Sequence, residues 1–165
     1  SYYEEVLVVR VHPEFLQGER LPRLPKNLDD LWPERFASIR DHEEHLARSG
    51  TVIIKFWLNV SPDEQKRRFL SRLEQPEKNW KFNEGDVGER KHWGAYMEAY
   101  EDALNATSRP WAPWYAIPAD DKPYLRMCVA DIVVRTLQAL DLSYPKLDAA
   151  QRKHFQAMRR ALERE

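Results

Sequence analysis

One cysteine in 165 residues, Cys128, excludes an intramolecular disulfide and suits a reducing compartment. Its place inside the apolar-periodic run 125–140 reads as that of a small core residue. Five glycines, Gly18, Gly50, Gly85, Gly88 and Gly94, are too few and too scattered to build a G-x-x-x-x-G-K-[ST] phosphate loop, and that pattern does not occur. A Rossmann glycine fingerprint, a nucleophile elbow and a zinc-ligand cluster are equally missing. No apolar run approaches the roughly 20 residues needed to cross a bilayer, and the first residues do not follow the basic, apolar, small-residue order of a secretion signal. A cytoplasmic location with no membrane partner is therefore expected. Neither sign of charge is in excess: 26 Lys and Arg stand against 27 Asp and Glu, a net of -1, which argues against nucleic acid as the partner. Any anion site has to be local.

The chain does carry a hydrophobic fraction of 42% and an aromatic fraction of 12%, enough for one sizeable core and one domain. Residues 6–11 are β-branched and apolar on both faces, which predicts a central strand of a parallel sheet ended by His12-Pro13. The strand opens with no cap before it, which suggests that natural sequence precedes it. Residues 18–31, with Pro22 and Pro25, predict an irregular connection. Residues 33–48 show helical spacing through Phe36, Ile39 and Leu46, closed by Ser49-Gly50. Residues 51–60 form the strongest strand pattern. Ser61-Pro62-Asp63-Glu64 then predicts a helix to about residue 74, with Ser61 as N-cap and Glu64 completing a capping box. A second box, Asp86 to Glu89, predicts a helix running to about Thr107. Residues 114–118 read as a short last strand, Asp120-Asp121 as the cap of a helix to Leu140, and residues 147–165 as a charged amphipathic helix. Alternating strands and helices predict an open α/β sheet.

Cations concentrate where the helix opened by Ser61 gives way to a loop. Arg68 and Arg72 are four apart, and Lys78 and Lys81 lie just past Pro76. Arginine forks give bidentate hydrogen bonds to phosphate oxygens and lysine supplies a mobile point charge, so this face and loop could converge on successive phosphates. The competing reading is a solvated face whose charges pair with Glu64, Glu74 and Glu77. Trp93, Tyr96 and Tyr100 recur at helical spacing and read as packing residues. Trp80 sits between lysines in a loop, where an aromatic residue can organise the cations or contact the nucleotide. At Asp120 and Asp121, capping competes with a contact to a base or cation. His42 and His45 are three apart and read as a solvated helix face. No residue is assigned to a metal.

The stretch S-P-D-E-Q-K-R-R-F-L-S-R-L-E-Q-P-E-K-N-W-K-F-N-E-G-D-V-G-E-R-K-H-W-G-A-Y-M-E-A-Y-E, residues 61–101, closely resembles the lid module of family 2 polyphosphate kinases. S-Y-Y-E-E-V-L-V-V-R-V at residues 1–11 resembles the segment after the Walker B strand of that family, and P-A-D-D-K at 118–122 its loop after a later strand. The resemblance spans nearly all of residues 1–145, with the lid at about 61–107 and a charged helical tail at 146–165. It implies part of a P-loop kinase-like, thymidylate kinase-like three-layer α/β fold with a parallel sheet and a helical lid. It further implies phosphoryl transfer between inorganic polyphosphate and a nucleoside mono- or diphosphate, with Mg2+. On the matching positions it makes Arg68 and Arg72 catalytic, and Arg67, Lys78, Lys81 and Arg90 phosphate-binding. Trp80 and Asp121 become nucleotide contacts.

The family's Walker A and Walker B motifs would precede Ser1, so the expectation is a carboxyl-terminal portion, inactive alone and with a sheet edge that leaves a route to homo-oligomers. Two rival readings remain: a fragment of an ATP-dependent nucleoside monophosphate kinase, and a non-enzymatic polyanion-binding module.

Overall fold

The computed structural model describes residues 1–23 and 25–164. Leu24, in the predicted irregular connection, and Glu165, at the end of the predicted tail helix, lie outside the described residues. The chain divides into two compact units, Ser1–Val129 and Ala130–Glu165.

The first residues correct the sequence-based expectation. Residues 6–11 are not a strand: a 3-10 turn, Tyr2–Val6, leads into a short helix, α1 (Val8–Val11). Two forces outweigh the β-propensity of the valines. Ser1 and Glu4 form a reciprocal capping box that starts helical winding, in the S-x-x-E pattern the strand assignment passed over. Helical spacing also brings Tyr3, Val6 and Leu7 onto one buried face, with Val9 beside them. Further 3-10 turns follow at Pro13–Gln17 and Leu28–Asp30.

α2 (Leu31–Arg48) forms close to its predicted bounds, and Gly50 ends it at φ 92°, in the left-handed region that glycine enters without steric cost. Its buried stripe runs Trp32, Phe36, Ile39 and then, one step further, Glu43. The stripe packs against the 3-10 turn and α1 on one side, and against the fully buried Ala99 and Ala103 of α5 (Trp93–Thr107) on the other. Alanine at i and i+4 lets α5 approach closely.

β1 (Lys55–Asn59) is shorter than the strand pattern because its partner, β2 (Trp114–Pro118), offers five residues to pair. The two run parallel, with Lys55 opposite Trp114 and Asn59 opposite Pro118. Among the described residues they are the whole sheet, so the α/β class holds with a small parallel sheet in a mostly helical chain.

α3 (Pro62–Glu74) follows β1, with the Ser61 hydroxyl accepting the Glu64 N–H at 3.2 Å. The box stays half-formed, because Glu64 turns to Arg67 and Arg68 instead of back to Ser61. A 3-10 turn, Pro76–Lys81, leads to α4 (Glu84–Glu89), whose cap is Asn83 and not the predicted Asp86; a further turn, Arg90–His92, separates it from α5. α6 (Lys122–Ala139) begins where Asp121 Oδ1 accepts the Tyr124 N–H at 2.8 Å, so one of the two aspartates caps as expected. Cys128 on α6 is half-buried and not a core residue. In the second unit, α7 (Ala149–Leu162) is capped reciprocally by Asp148 and Gln151, and leaves Phe155, Met158 and Leu162 exposed. Among the described residues no helix is long and apolar enough to cross a membrane.

Candidate functional site

Three clefts border α3. The largest, about 720 Å³, runs along β1 and is walled by aromatics including Phe56, Trp57, Trp93, Tyr96 and Tyr100. A second, about 540 Å³, sits at the ends of the two strands between Trp93, Met97, Asp121 and Tyr124. The third, also about 540 Å³, gathers Arg67, Arg68, Arg72, Lys78, Lys81 and Lys122 against three carboxylates, Glu64, Asp120 and Asp121. Arg68 and Arg72 line both the first and the third, so they stand on the ridge between an aromatic space and a cationic one.

The cations differ in how freely they can meet a ligand. Arg67 pairs with Glu64, yet its side chain is 77% exposed. Arg68 is more committed: Nε donates to Glu64 Oε1 at 2.7 Å, and Nη2 donates to the carbonyl oxygens of Ala119 at 2.6 Å and Asp120 at 3.3 Å. These two arginines hold the Glu64 carboxyl below the usual carboxylate range. Arg72 has only a distant partner, Asp86 Oδ2 at 3.8 Å, with its guanidinium over the Phe69 ring. The Lys78 Nζ reaches Ser71 Oγ at 3.4 Å, and Asn79 Nδ2 donates to the carbonyls of Arg72 and Leu73, folding the Lys78–Lys81 turn onto the end of α3.

Of the other predicted site residues, Arg90 lines the first cleft while donating to Gln65 Oε1 at 2.5 Å and to the Pro62 carbonyl, which ties the turn after α4 to the start of α3. Trp80 is 78% exposed, with Lys81 Nζ 4.9 Å from its ring. Asp121 lies at the junction of the second and third clefts while capping α6. Tyr100 stacks on Trp57 and packs on the core as expected, and with Trp93 and Tyr96 it also lines the first cleft. His42 and His45 lie exposed on α2. Among the described residues no group of three or more His, Cys, Asp or Glu is placed to hold a metal by protein ligands alone.

Two features escaped the sequence reading. Lys122 joins the cationic cleft, a membership that only the return of the chain after β2 creates. His12 ties the amino-terminal segment to α4: Nε2 lies 2.9 Å from Glu89 Oε2 and Nδ1 lies 3.1 Å from Glu14 Oε1, with the His92 ring 5.0 Å away. Glu89 also accepts from the Tyr96 hydroxyl, whose own pKa is pushed up to about 12, mainly by burial. With a carboxylate on each ring nitrogen, His12 is best served as the imidazolium, and the Glu89 hydrogen bond first, then Glu14, holds its pKa above the ordinary value. A raised folded-state pKa gives stability that is complete below about pH 6.5 and lost as pH climbs through the folded value. Thermal unfolding between pH 5.5 and 8.5 should therefore show the gap between wild type and His12→Ala narrowing as pH rises. A gap that stays constant would remove the charged tether.

A family described as Polyphosphate kinase 2 (PPK2) matches residues 1–145. The chain is 49% identical over 162 residues to the ADP-polyphosphate phosphotransferase of Rhodopseudomonas palustris, covering 98% of this chain and 56% of that one. It is 44% identical to the AMP/ADP-polyphosphate phosphotransferase of Meiothermus ruber, covering 93% and 53%. The crystal structure of Polyphosphate Kinase 2 from Arthrobacter aurescens TC1 superposes with a TM-score of 0.79 at 37% identity, covering 94% of this chain and 52% of that one. The chain spans about half the length of these relatives.

Proposed function

This chain belongs to the polyphosphate kinase 2 family, and from that premise we propose that its lid, at about residues 61–107, grips inorganic polyphosphate while a phosphoryl group passes between the polymer and a nucleoside mono- or diphosphate. The observation that carries this is the cationic cleft: three arginines and three lysines around about 540 Å³, on one helix, its following turn and the first residue of α6. Phosphoryl transfer depends chiefly on positioning and on cancelling charge over the transferred group's oxygens, and forked donors on a pre-shaped surface do both.

Arg72 is the leading contact, because its carboxylate partner is distant and its guanidinium faces both clefts. Arg68 shares the ridge, with Nη1 left for a phosphate once its other nitrogens are engaged. Arg67, Lys78, Lys81 and Lys122 extend the surface along the chain of phosphates. Trp80 and Asp121 are assigned to the nucleotide. Arg90, on the first cleft, adds a phosphate contact while bracing α3 against the turn after α4. The chain contains no G-x-x-x-x-G-K-[ST] loop, so by itself it is expected to hold polyphosphate without turnover.

The test compares donors and ligands. Saturable polyphosphate binding by the chain, with polyphosphate as phosphoryl donor to ADP or AMP in its natural polypeptide, is the expected result. Preference for ATP as donor would move the protein to the nucleoside monophosphate kinases. Single-stranded RNA bound as tightly as polyphosphate would make it a general polyanion binder.

A further inference from the structure

The loop after β2 and the first turn of α3 close a ring of hydrogen bonds. Asp120 Oδ1 accepts the backbone N–H of Ser61 at 2.7 Å, and Ser61 Oγ accepts the N–H of Glu64 at 3.2 Å. Glu64 Oε1 accepts from Arg68 Nε at 2.7 Å, and Arg68 Nη2 returns to the carbonyls of Ala119 and Asp120. The ring is anchored to the sheet, because the buried Ala119 donates its N–H to the Asn59 carbonyl at 2.9 Å. Asp120 thus supplies what a full capping box would have drawn from Glu64, and Glu64 is released to orient two arginines. The hydrogen bond from Ser61 N–H is also the main reason that the Asp120 carboxyl stays below its usual range.

Asp120 nevertheless lines the cationic cleft. A carboxylate there opposes an anionic ligand, so its contribution has to be geometric. Arg72 lies 11 residues beyond Ser61, or about 16 Å along a helix, and a 10° tilt at the base would carry it about 3 Å, well beyond the roughly 1 Å error that can already cost reactivity. The Lys78–Lys81 turn moves with it, being held to the end of α3 by Asn79.

We infer that Asp120 is a positioning residue for the lid: through the Ser61 N–H it sets the direction of α3, and hence the place of Arg67, Arg72, Lys78 and Lys81, without touching substrate. The inference rests on the polyphosphate reading of the cleft. Its test uses the chain, Asp120→Asn and Asp120→Ala, with anisotropy of labelled polyphosphate and hydrogen exchange of the segment beginning at Ser61. Asp120→Ala should bind polyphosphate five- to tenfold more weakly and exchange faster at Ser61. Asp120→Asn, whose amide oxygen accepts the same bond, should stay within twofold of wild type on both.

If both variants bind polyphosphate more tightly with unchanged exchange, Asp120 is only a repelling charge and the positioning role is lost. A lowered melting temperature in Asp120→Ala with unaltered affinity in the folded protein overturns it as well, by leaving a purely structural role. Wild type that fails to bind polyphosphate, while the exchange contrast persists, defeats the reading of the cleft and leaves only the strap between Asp120 and Ser61.

Discussion

Lys55→Met should lower the unfolding free energy by about 3–5 kcal/mol, the cost of leaving one partner of a buried ion pair alone. The Lys55 Nζ lies 2.6 Å from Glu43 Oε2, with side-chain exposures of 8% and 0%. It also donates to the Tyr3 hydroxyl at 2.8 Å and to the Thr107 carbonyl at 3.1 Å. Glu43 Oε1 accepts from the hydroxyls of Tyr2 and Tyr3, the Tyr3 oxygen lies 2.9 Å from Thr107 Oγ1, and Thr107 Oγ1 accepts from Trp114 Nε1. Methionine matches the length of lysine and fills its space, so the loss isolates the charge from the packing. Burial raises the Tyr2 pKa to about 12 and raises that of Tyr3 further, which keeps both hydroxyls protonated as donors over the working pH range. Burial also pulls the Lys55 pKa down, against the upward pull of Glu43.

Urea unfolding measures the loss. A change below about 1 kcal/mol would show that the pair is not desolvated as the geometry implies. Adding Glu43→Leu to Lys55→Met should recover part of the loss, because the orphaned carboxylate is then gone. Recovery will be incomplete, since Tyr2, Tyr3 and Thr107 lose partners with it. The network reaches α3 indirectly: it fixes the first residue of β1 against the carboxyl end of α5, and β1 delivers the chain to Ser61 and α3.

Much of the helical framework was legible because its signals are local. Ser61-Pro62 announced α3, Ser49-Gly50 closed α2, and the aromatic run 114–118 gave β2. What escaped depended on distant partners. The valines of residues 6–11 read as a strand, and the burial of Tyr3, Val6 and Leu7 against α2 and α5, added to the Ser1–Glu4 capping box, makes them helical. Asp86 sits in a formal box, but Asn83 caps first and leaves Asp86 facing Arg72. Glu43 falls on the apolar stripe of α2 and Lys55 opens an apolar strand, so a charge on each buried face was itself the signal of their pairing. The cation cluster was visible as a run of Arg and Lys. Which of them are occupied by Glu64, Ala119 and Gln65, and which face open space, required the fold.

Arg72→Ala should weaken polyphosphate binding about 10- to 100-fold at low salt, from the roughly 1.5–3 kcal/mol carried by charge-assisted hydrogen bonds. Arg67 spends part of its charge on Glu64, and Lys78 and Lys81 act as point charges without a fork, so their replacement by alanine should each cost less, about threefold. Arg72→Lys separates charge from geometry: it should recover the salt dependence of wild type but only part of the affinity. Asp86→Ala removes the carboxylate facing Arg72 and should leave affinity equal or higher. Counterion release adds a second readout, because losing one phosphate contact lowers the slope of log K against log salt by about 0.7–0.9. A folded Arg72→Ala protein with unchanged affinity and slope would mean that polyphosphate does not bind across the ridge between the aromatic and cationic clefts. The phosphates would then have to be held elsewhere in the third cleft, by Arg67, Arg68, Lys78, Lys81 and Lys122.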